Sequence, residues 1–403
     1  MKEINSIITA FLDNQHNREP VFLATVVNVQ GSTYRQPGAR MLMTSSGKMV
    51  GTISGGCLEN DVFEHTRLMT DNQPIVVTYD TNADEDIIWG FGLGCNGVID
   101  ILIERLNQND PLNPLAFIHQ CFSNQQQGII ATVFSVEGVD NVKVGERLIL
   151  NSDNSDNSDN SDNSDNNLNT NIVESVITQA LIKDAQESLR NQHSSFHKYQ
   201  FLSGEVSVFI EFIQPPPNLI IFGAGRDAVP VAQFAKALGW QVTIFDCRAM
   251  EATKERFIMA DEVILTRREI LPQQICVDEH TMAVVMTHNY FDDLEILKLL
   301  IPSNIIYLGC LGSKQRTQRL FTDLQQEVGE YKPEQLQKLY APIGLDIGAN
   351  TPEAIGLSII AEIQAILTNR NGGFLRNRHQ SINQKNQMQE IKIEPSDAIL
   401  MNK

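Results

Sequence analysis

Two cysteines stand where sulfur could do chemistry. Cys57 lies in Ser54-Gly55-Gly56-Cys57-Leu58-Glu59, between a Gly-Gly bend and a stretch, 59–69, whose apolar spacing predicts a helix. A thiol at a helix N-terminus is favoured as thiolate, and Arg35 and Arg40, if folded nearby, would act in the same direction. Cys95 lies in Gly92-Leu93-Gly94-Cys95-Asn96-Gly97, a second glycine-rich turn ahead of a predicted strand. Glycines beside each cysteine leave the sulfur uncrowded and let a ligand approach the backbone. Soft thiolates suit molybdenum, copper, zinc or sulfur transfer. Either cysteine alone reads first as a small buried residue in a tight turn, and it is the two together in similar settings that point to function. The six cysteines (57, 95, 121, 247, 276 and 310) show neither C-x-x-C pairs nor four-ligand spacing, which points to reduced thiols in a cytoplasmic protein and away from structural zinc.

A second constellation is built for phosphate. Gly223-Ala224-Gly225-Arg226-Asp227-Ala228 follows the apolar run NLIIF and opens a helical pattern, which is the setting of a G-x-G-x-x-G/A dinucleotide fingerprint. Gly223 allows the tight turn, Gly225 admits a pyrophosphate to the backbone, and the helix N-terminus supplies free N–H groups. Asp246 ends the next predicted strand, where a carboxylate can bind a ribose diol. Arg248, two residues on, either favours a 2′-phosphate or pairs with Asp246. The fold could also persist without the nucleotide. Gly309-Cys310-Leu311-Gly312-Ser313-Lys314 reads as a second strand–glycine–helix junction, with Lys314, Arg316 and Arg319 in the first turns of the helix. Cations there oppose the helix dipole, so they indicate an anionic ligand or else a solvated basic face. His288 ends the run TMAVVMT at the carboxyl edge of the predicted sheet, as a ligand contact, an acid–base group or a structural histidine.

The elements that must position these residues divide the chain in two. Residues 1–213 carry a docking helix at the N-terminus and mixed strands and helices, which predict an α+β domain. Residues 214–217 form a Pro-rich linker of polyproline type. Over residues 218–369 apolar strands alternate with helices, the pattern of a Rossmann-like, doubly wound parallel-sheet α/β domain. Residues 370–403 read as a polar tail. The N-S-D repeats at 151–166 hold too little apolar surface to fold and read as a disordered insertion in a surface loop.

Composition sets outer limits. With 403 residues, 42% of them hydrophobic, there is enough material for two cores. A net charge of -18 argues against nucleic acid as the main partner. No apolar run approaches the roughly 18–20 residues of a membrane span, and the N-terminus is too polar for a secretory signal. A homodimer is compatible with the sequence, although no motif points to one.

Several motifs together carry a resemblance. Gly31-Ser32-Thr33-Tyr34-Arg35, Gly38-Ala39, Gly51-Thr52-Ile53-Ser54-Gly55-Gly56-Cys57-Leu58-Glu59 and the Cys95 turn resemble the N-terminal half of the XdhC/CoxI family. PPPNLIIFGAGRDAVPVAQFAKALGW, YLGCLGSKQRTQRL and PIGLDIGANTPEAIGLSIIAEI are similar to that family's Rossmann domain. The resemblance implies an accessory protein of xanthine dehydrogenase and carbon monoxide dehydrogenase type molybdenum enzymes. Such a protein binds molybdenum cofactor (molybdopterin), promotes its sulfuration by a cysteine desulfurase, and inserts it into a xanthine dehydrogenase-type apo-enzyme without turnover of its own. On that reading Cys57 and Cys95 are molybdenum contacts, with Arg35, Gly55 and Gly56 beside them. Gly223, Gly225 and Asp246 bind NAD(P) or another nucleotide, with His288, Gly309, Gly312 and Lys314 also on the cofactor side. Cys247 after Asp246, Asn289 after His288 and the N-S-D tract depart from the family pattern. The alternatives are an NAD(P)-dependent oxidoreductase using His288 as proton donor, and a sulfur carrier holding a persulfide on Cys57.

Overall fold

The structure is a computed structural model that describes residues 1–17, 19–69, 73–80, 96–152, 168–379 and 388–392. Backbone proximity divides the chain into one unit of Glu3–Pro215 with Asn383–Lys403 and another of Pro216–Ile382 with Met1–Lys2.

The first unit opens with α1 (Lys2–Asn17), β1 (Val21–Ser32), β2 (Arg40–Thr44), β3 (Met49–Gly51), α2 (Glu59–Leu68), β4 (Ile75–Asp80) and β5 (Asn96–Arg105). Its five strands form an antiparallel sheet in the order β3-β2-β1-β5-β4. Successive residues of a strand face opposite sides, and β1 is apolar on both. Phe22, Ala24 and Val26 pack with Val62 and Phe63 of α2, while Val21 and Leu23 pack with Ile7 and Phe11 of α1. Each of these side chains larger than alanine contributes about 1.5–3 kcal/mol when buried from water. Ser32 pairs with Asn96, so the start of β5 is registered against the loop that begins at Thr33.

A second sheet follows, built from α3 (Pro114–Asn124), β6 (Gly128–Glu137), β7 (Arg147–Asn151), β8 (Leu168–Thr170), α4 (Ser175–Arg190), β9 (Ser195–Gln200) and β10 (Glu205–Ile213). The antiparallel order is β9-β10-β6-β7-β8, with Ile177, Leu181 and Ala185 of α4 packed on one face. Val27 and Leu102 of the first sheet meet Phe134, Phe196 and Phe209 of the second. Two buried ion pairs cross between the sheets: Arg40 of β2 with Glu211 of β10, and Arg147 of β7 with Glu104 of β5. Of the N-S-D tract, residues from 153 onward lie outside the described residues. The strands flanking it, β7 and β8, pair antiparallel.

The other unit contains β11 (Asn218–Phe222), α5 (Ala228–Ala237), β12 (Gln241–Asp246), β13 (Glu262–Leu265), α6 (Leu271–Gln274), β14 (Thr281–Val285), α7 (Tyr290–Leu300), β15 (Tyr307–Cys310), α8 (Lys314–Val328), α9 (Pro333–Leu336), β16 (Leu339–Tyr340) and α10 (Pro352–Leu367). All strand pairs are parallel, in the order β13-β12-β11-β14-β15-β16. This is the doubly wound Rossmann arrangement, in which strand order reverses between β11 and β14 and leaves a crevice at their carboxyl ends. Helices α5 and α10 cover one face, and α7 and α8 the other. The fold is therefore α/β, as its strand–helix alternation predicts.

The segment expected as a polar tail contains one more strand. β17 (Met388–Lys392) lies parallel to β9 at the edge of the second sheet. Ile391 packs against the core under α4, and the open edge of β9 supplies the backbone partners that a short polar segment needs.

The Arg147–Glu104 pair gives the fold a test. Arg147 Nη2 donates to Glu104 Oε2 at 2.6 Å, and both side chains are almost fully buried. Removing one partner of a buried pair leaves an uncompensated charge, at a cost of about 3 kcal/mol, whereas an apolar pair of similar volume is close to neutral. Glu104→Ala should lower the unfolding free energy in urea by about that amount, and Glu104→Met with Arg147→Met should recover most of it. A single-mutant effect under about 1 kcal/mol would contradict the assignment.

Candidate functional site

The Cys57 bend runs from the end of β3 to the start of α2 and is tied together by hydroxyl and carboxylate groups. Ser54 Oγ accepts the backbone N–H groups of Gly56, Cys57 and Leu58 at 3.2, 3.1 and 3.1 Å, and donates to Glu59 Oε2 at 2.5 Å. Glu59 Oε1 accepts from Thr52 Oγ1 at 2.5 Å and from the N–H groups of Ile53 and Ser54 at 3.2 and 3.0 Å. Glu3, on α1, accepts the Thr52 N–H at 2.8 Å and pairs with Arg35. One carboxylate thus folds the bend, and a second ties it to the loop after β1.

Cys57 itself is half-buried and free, and its sulfur makes no hydrogen bond among the described residues. Gly56 has φ +104, a left-handed conformation that favours glycine, and an added Cβ there would meet nothing within 4 Å among the described residues. Among the described residues, the space off Gly56, the residue before the thiol, is therefore open. Tyr34 lies exposed against Gly55, 3.8 Å from where a Cβ would sit. The groups that the sequence offers as thiolate stabilisers are committed elsewhere. The N–H groups of residues 56–58 point at Ser54, Arg35 is paired with Glu3, and Arg40 with Glu211. Cys95, with Gly92 and Gly94, lies outside the described residues. The residue after it, Asn96, begins β5 opposite Ser32.

The nucleotide fingerprint occupies the crevice of the Rossmann unit. Gly223 has φ +118, and a Cβ there would lie 2.3 Å from the Met286 carbonyl oxygen, so no side chain fits between β11 and the end of β14. Asp246 Oδ2 accepts the Ala224 N–H at 2.5 Å and Arg248 Nη2 at 2.6 Å, while Oδ1 accepts Arg248 N and Nε at 2.8 and 2.9 Å. Of the two roles left open for Arg248, the structure shows the pairing. Burial pushes the Asp246 carboxyl up, but the Arg248 guanidinium and the backbone donors outweigh it and hold the group below the ordinary aspartate value.

His288 takes φ 62, rare for a residue with a side chain, and its Nε2 lies 2.8 Å from Asp227 Oδ2 beside Gly225. A cavity of ≈ 330 Å³ opens at this edge. Phe222, Phe245, Leu271 and Ile296 form its apolar wall, and Asp246 and His288 stand among its polar residues.

The Gly309–Lys314 segment joins a strand to a helix as its sequence predicts, with β15 ending at Cys310 and α8 beginning at Lys314. Gly309 lies inside β15, where a Cβ would be 2.1 Å from Ile343 Cδ1, so the glycine admits the 342–350 loop. Cys310 is buried, which pushes its thiol up to about 12. Ser313 caps α8, accepting the Arg316 N–H at 3.2 Å, with Gly312 just before it and Lys314 exposed at the first helical position. Arg316 turns inward to Asp293 at 2.6 Å, and Arg319 lies over the Tyr290 ring. Among the described residues no three His, Cys, Asp or Glu side chains gather as a metal site, and no helix is long and apolar enough to cross a membrane.

With that geometry in hand, comparison with known proteins is decisive. The family model described as "XdhC and CoxI family" matches residues 15–80, and "XdhC Rossmann domain" matches 219–363. A Bacillus subtilis (strain 168) protein, named as a probable xanthine dehydrogenase subunit, is 32% identical over 364 residues, covering 90% of this chain and 97% of its own length. The chain belongs to the XdhC and CoxI family. Another relative, the "Molybdenum cofactor insertion chaperone PaoD" of Escherichia coli (strain K12), is 22% identical over 346 residues, 85% of this chain and 82% of PaoD. The crystal structure of a xanthine dehydrogenase from Bacillus halodurans is similar with a TM-score of 0.70 and 26% identity, over 93% of this chain and 98% of the other.

The two family matches cover the Cys57 bend and the nucleotide fingerprint, while Glu3 and Cys95 lie outside both. Arg35, Gly55, Gly56, Cys57 and Glu59 fall in the first, and Gly223 through Lys314 in the second. The sequence reading missed the organisers: Glu59, Ser54 and Glu3 at the thiol bend, and Asp227 as the partner of His288. Glu59 carried a signal only in standing in the first turn of a predicted helix, where a carboxylate is favoured.

Burial works to raise the Glu59 carboxyl, but the hydroxyls of Ser54 and Thr52 and the backbone donors outweigh it and hold the group below its ordinary value of 4.5. A carboxyl depressed in the folded state binds fewer protons there than in the unfolded chain. Its stabilisation is therefore complete above about 4.5 and is lost as pH falls through the lower folded value. Glu59→Gln should cost about 1–2 kcal/mol at pH 7, allowing for partial exposure. The gap from wild type should close as pH falls below about 4. A pH-independent difference in thermal unfolding would show that the carboxylate charge does not hold the bend.

Proposed function

We propose that the chain carries molybdenum cofactor as cargo, holds it at the Cys57 bend, and passes it to a xanthine dehydrogenase-type apo-enzyme, with sulfuration by a cysteine desulfurase before hand-over. The observation that carries this reading is the free, half-buried Cys57 thiol beside the open space at Gly56, on a bend whose N–H groups turn away from it toward Ser54. A soft sulfur ligand suits molybdenum. A thiol on a bend held by Ser54 and Glu59 keeps its position whether or not cargo is bound. The exposed Tyr34 ring offers a flat surface to a flat pterin. Arg35, Gly55 and Gly56 belong to the same proposed site, and Cys95 is its second thiol. The names of two relatives, one a molybdenum cofactor insertion chaperone and the other a probable component of xanthine dehydrogenase, support cargo and client alike.

The test is retention. Protein produced in cells that make the cofactor should keep molybdenum and pterin through gel filtration. Cys57→Ala should lose on the order of tenfold or more of both, since even losing an outer-shell partner of a metal ligand costs that much, with unchanged circular dichroism. Undiminished retention by Cys57→Ala would remove the thiol from the reading. A second reading, an NAD(P)-dependent oxidoreductase with His288 as proton donor, is favoured by the Asp227–His288 pair at the Rossmann crevice. Hydride exchange with added nicotinamide nucleotide, abolished by His288→Ala, would support it.

A further inference from the structure

The Rossmann crevice contains a selectivity device that the cargo reading does not use. A dinucleotide with a free ribose diol is recognised by a carboxylate at the end of the second strand, whose lone pairs accept both hydroxyls. Asp246 stands at that position, yet its side chain is only 3% exposed. Its oxygens already accept the Ala224 N–H, the Arg248 N–H and two guanidinium donors of Arg248. A carboxylate offers about four lone-pair sites, so Asp246 has no acceptor left for a diol.

The cations at the same cavity are in the opposite condition. Arg248 is held on Asp246 through Nε and Nη2, and its side chain remains 43% exposed. Arg268 is held on Asp292 through Nε and Nη2, with its side chain 41% exposed. Each guanidinium is fixed along one edge and keeps further N–H donors on the other. A planar, pre-oriented fork of this kind matches phosphate oxygens. Both line the ≈ 330 Å³ cavity whose wall is Phe222, Phe245, Leu271 and Ile296, a setting for a flat heterocycle.

We propose that this cavity binds an adenosine nucleotide bearing a phosphate monoester on its ribose, with Arg248 and Arg268 holding that phosphate and Asp246 acting as the positioning residue for Arg248. The base lies against the apolar wall, and the remaining phosphates reach the N-terminus of α5 after Gly225. The proposal is independent of the Cys57 cargo site, because Cys57 is no part of this cavity.

Calorimetric titration of the full-length protein tests it. NADP⁺ should bind on the order of 30-fold tighter than NAD⁺, the size of one or two charge-assisted contacts. Likewise 2′,5′-ADP should exceed both 5′-ADP and 3′,5′-ADP. Arg248→Ala and Arg268→Ala should each reduce the ratio of NADP⁺ to NAD⁺ affinity by about tenfold. Equal affinity for NAD⁺ and NADP⁺, a preference for NAD⁺, or binding of neither by protein with native circular dichroism would overturn it. The same titration on Cys57→Ala protein should give unchanged nucleotide affinities, which separates failure here from failure of the cargo reading.

Discussion

A carboxylate removed from water must be given donors, and both chemically interesting bends of this chain are folded around one that has been. Glu59 collects hydroxyl and backbone donors from Thr52, Ile53 and Ser54, and that collection fixes the path of the chain past Cys57. Asp246 collects the Ala224 N–H and the Arg248 fork, and so connects the glycine loop after β11 to the end of β12. In each case burial alone would raise the carboxyl pKa and the donors reverse that tendency. The bends are rigid because the cost of desolvating these charges is offset only in the observed geometry.

What remains for a ligand follows from where those donors go. A donor pointed at a structural carboxylate is not available to a substrate. At the thiol bend the N–H groups that a helix start would turn toward a thiolate go to Ser54, so reactivity there rests on the sulfur and the open space beside it. At the Rossmann crevice the acidic residue is occupied, and the partly exposed Arg248 and Arg268 line the cavity. Thus one unit presents a soft nucleophile and the other a cationic rim, each set in place by an anion the ligand does not touch.

Much of this is legible in the chain before any coordinates. The Rossmann unit is readable because its signal is local. Apolar runs such as NLIIF and TMAVV are buried on both faces, and the glycine turn sits where a strand meets a helix. The first unit is less so. Of its second sheet, β10 stands out and β9 is its hairpin neighbour, whereas β6 owes its place in the sheet to a distant partner: it pairs with β10 from Glu137↔Glu205 to Gly128↔Ile213. Propensity carries no such information. The strand in the C-terminal segment is the extreme case, since Met388–Lys392 owes its conformation to the open edge of β9. The site divides on the same line. Cys57 and the Gly223 loop are sequence motifs, but Asp227 facing His288 and Glu3 facing Arg35 join residues that only the fold brings together.

His288 shows how such distant partners build a site. A left-handed conformation at a residue with a Cβ costs on the order of 1 kcal/mol or more and persists only where the surroundings impose it. Here both neighbours are anchored. Thr287 donates through Oγ1 and its N–H to Asp293 Oδ1, and Asn289 caps α7 by accepting from Phe291 and Asp292. Asp293 is buried and is balanced by Arg316, which comes in from α8. The cation that the sequence offers as an anion site at the start of α8 therefore acts inward: it neutralises Asp293, which pins Thr287. The residue between the two anchors is left pointing its imidazole at Asp227, over the glycine loop where phosphates would lie. Strain at that single position is thus the consequence of three satisfied polar groups around it. Relaxing it would require breaking bonds to Asp293 or to the α7 cap, so the His288–Asp227 pair is as firmly placed as the helices that carry its supports.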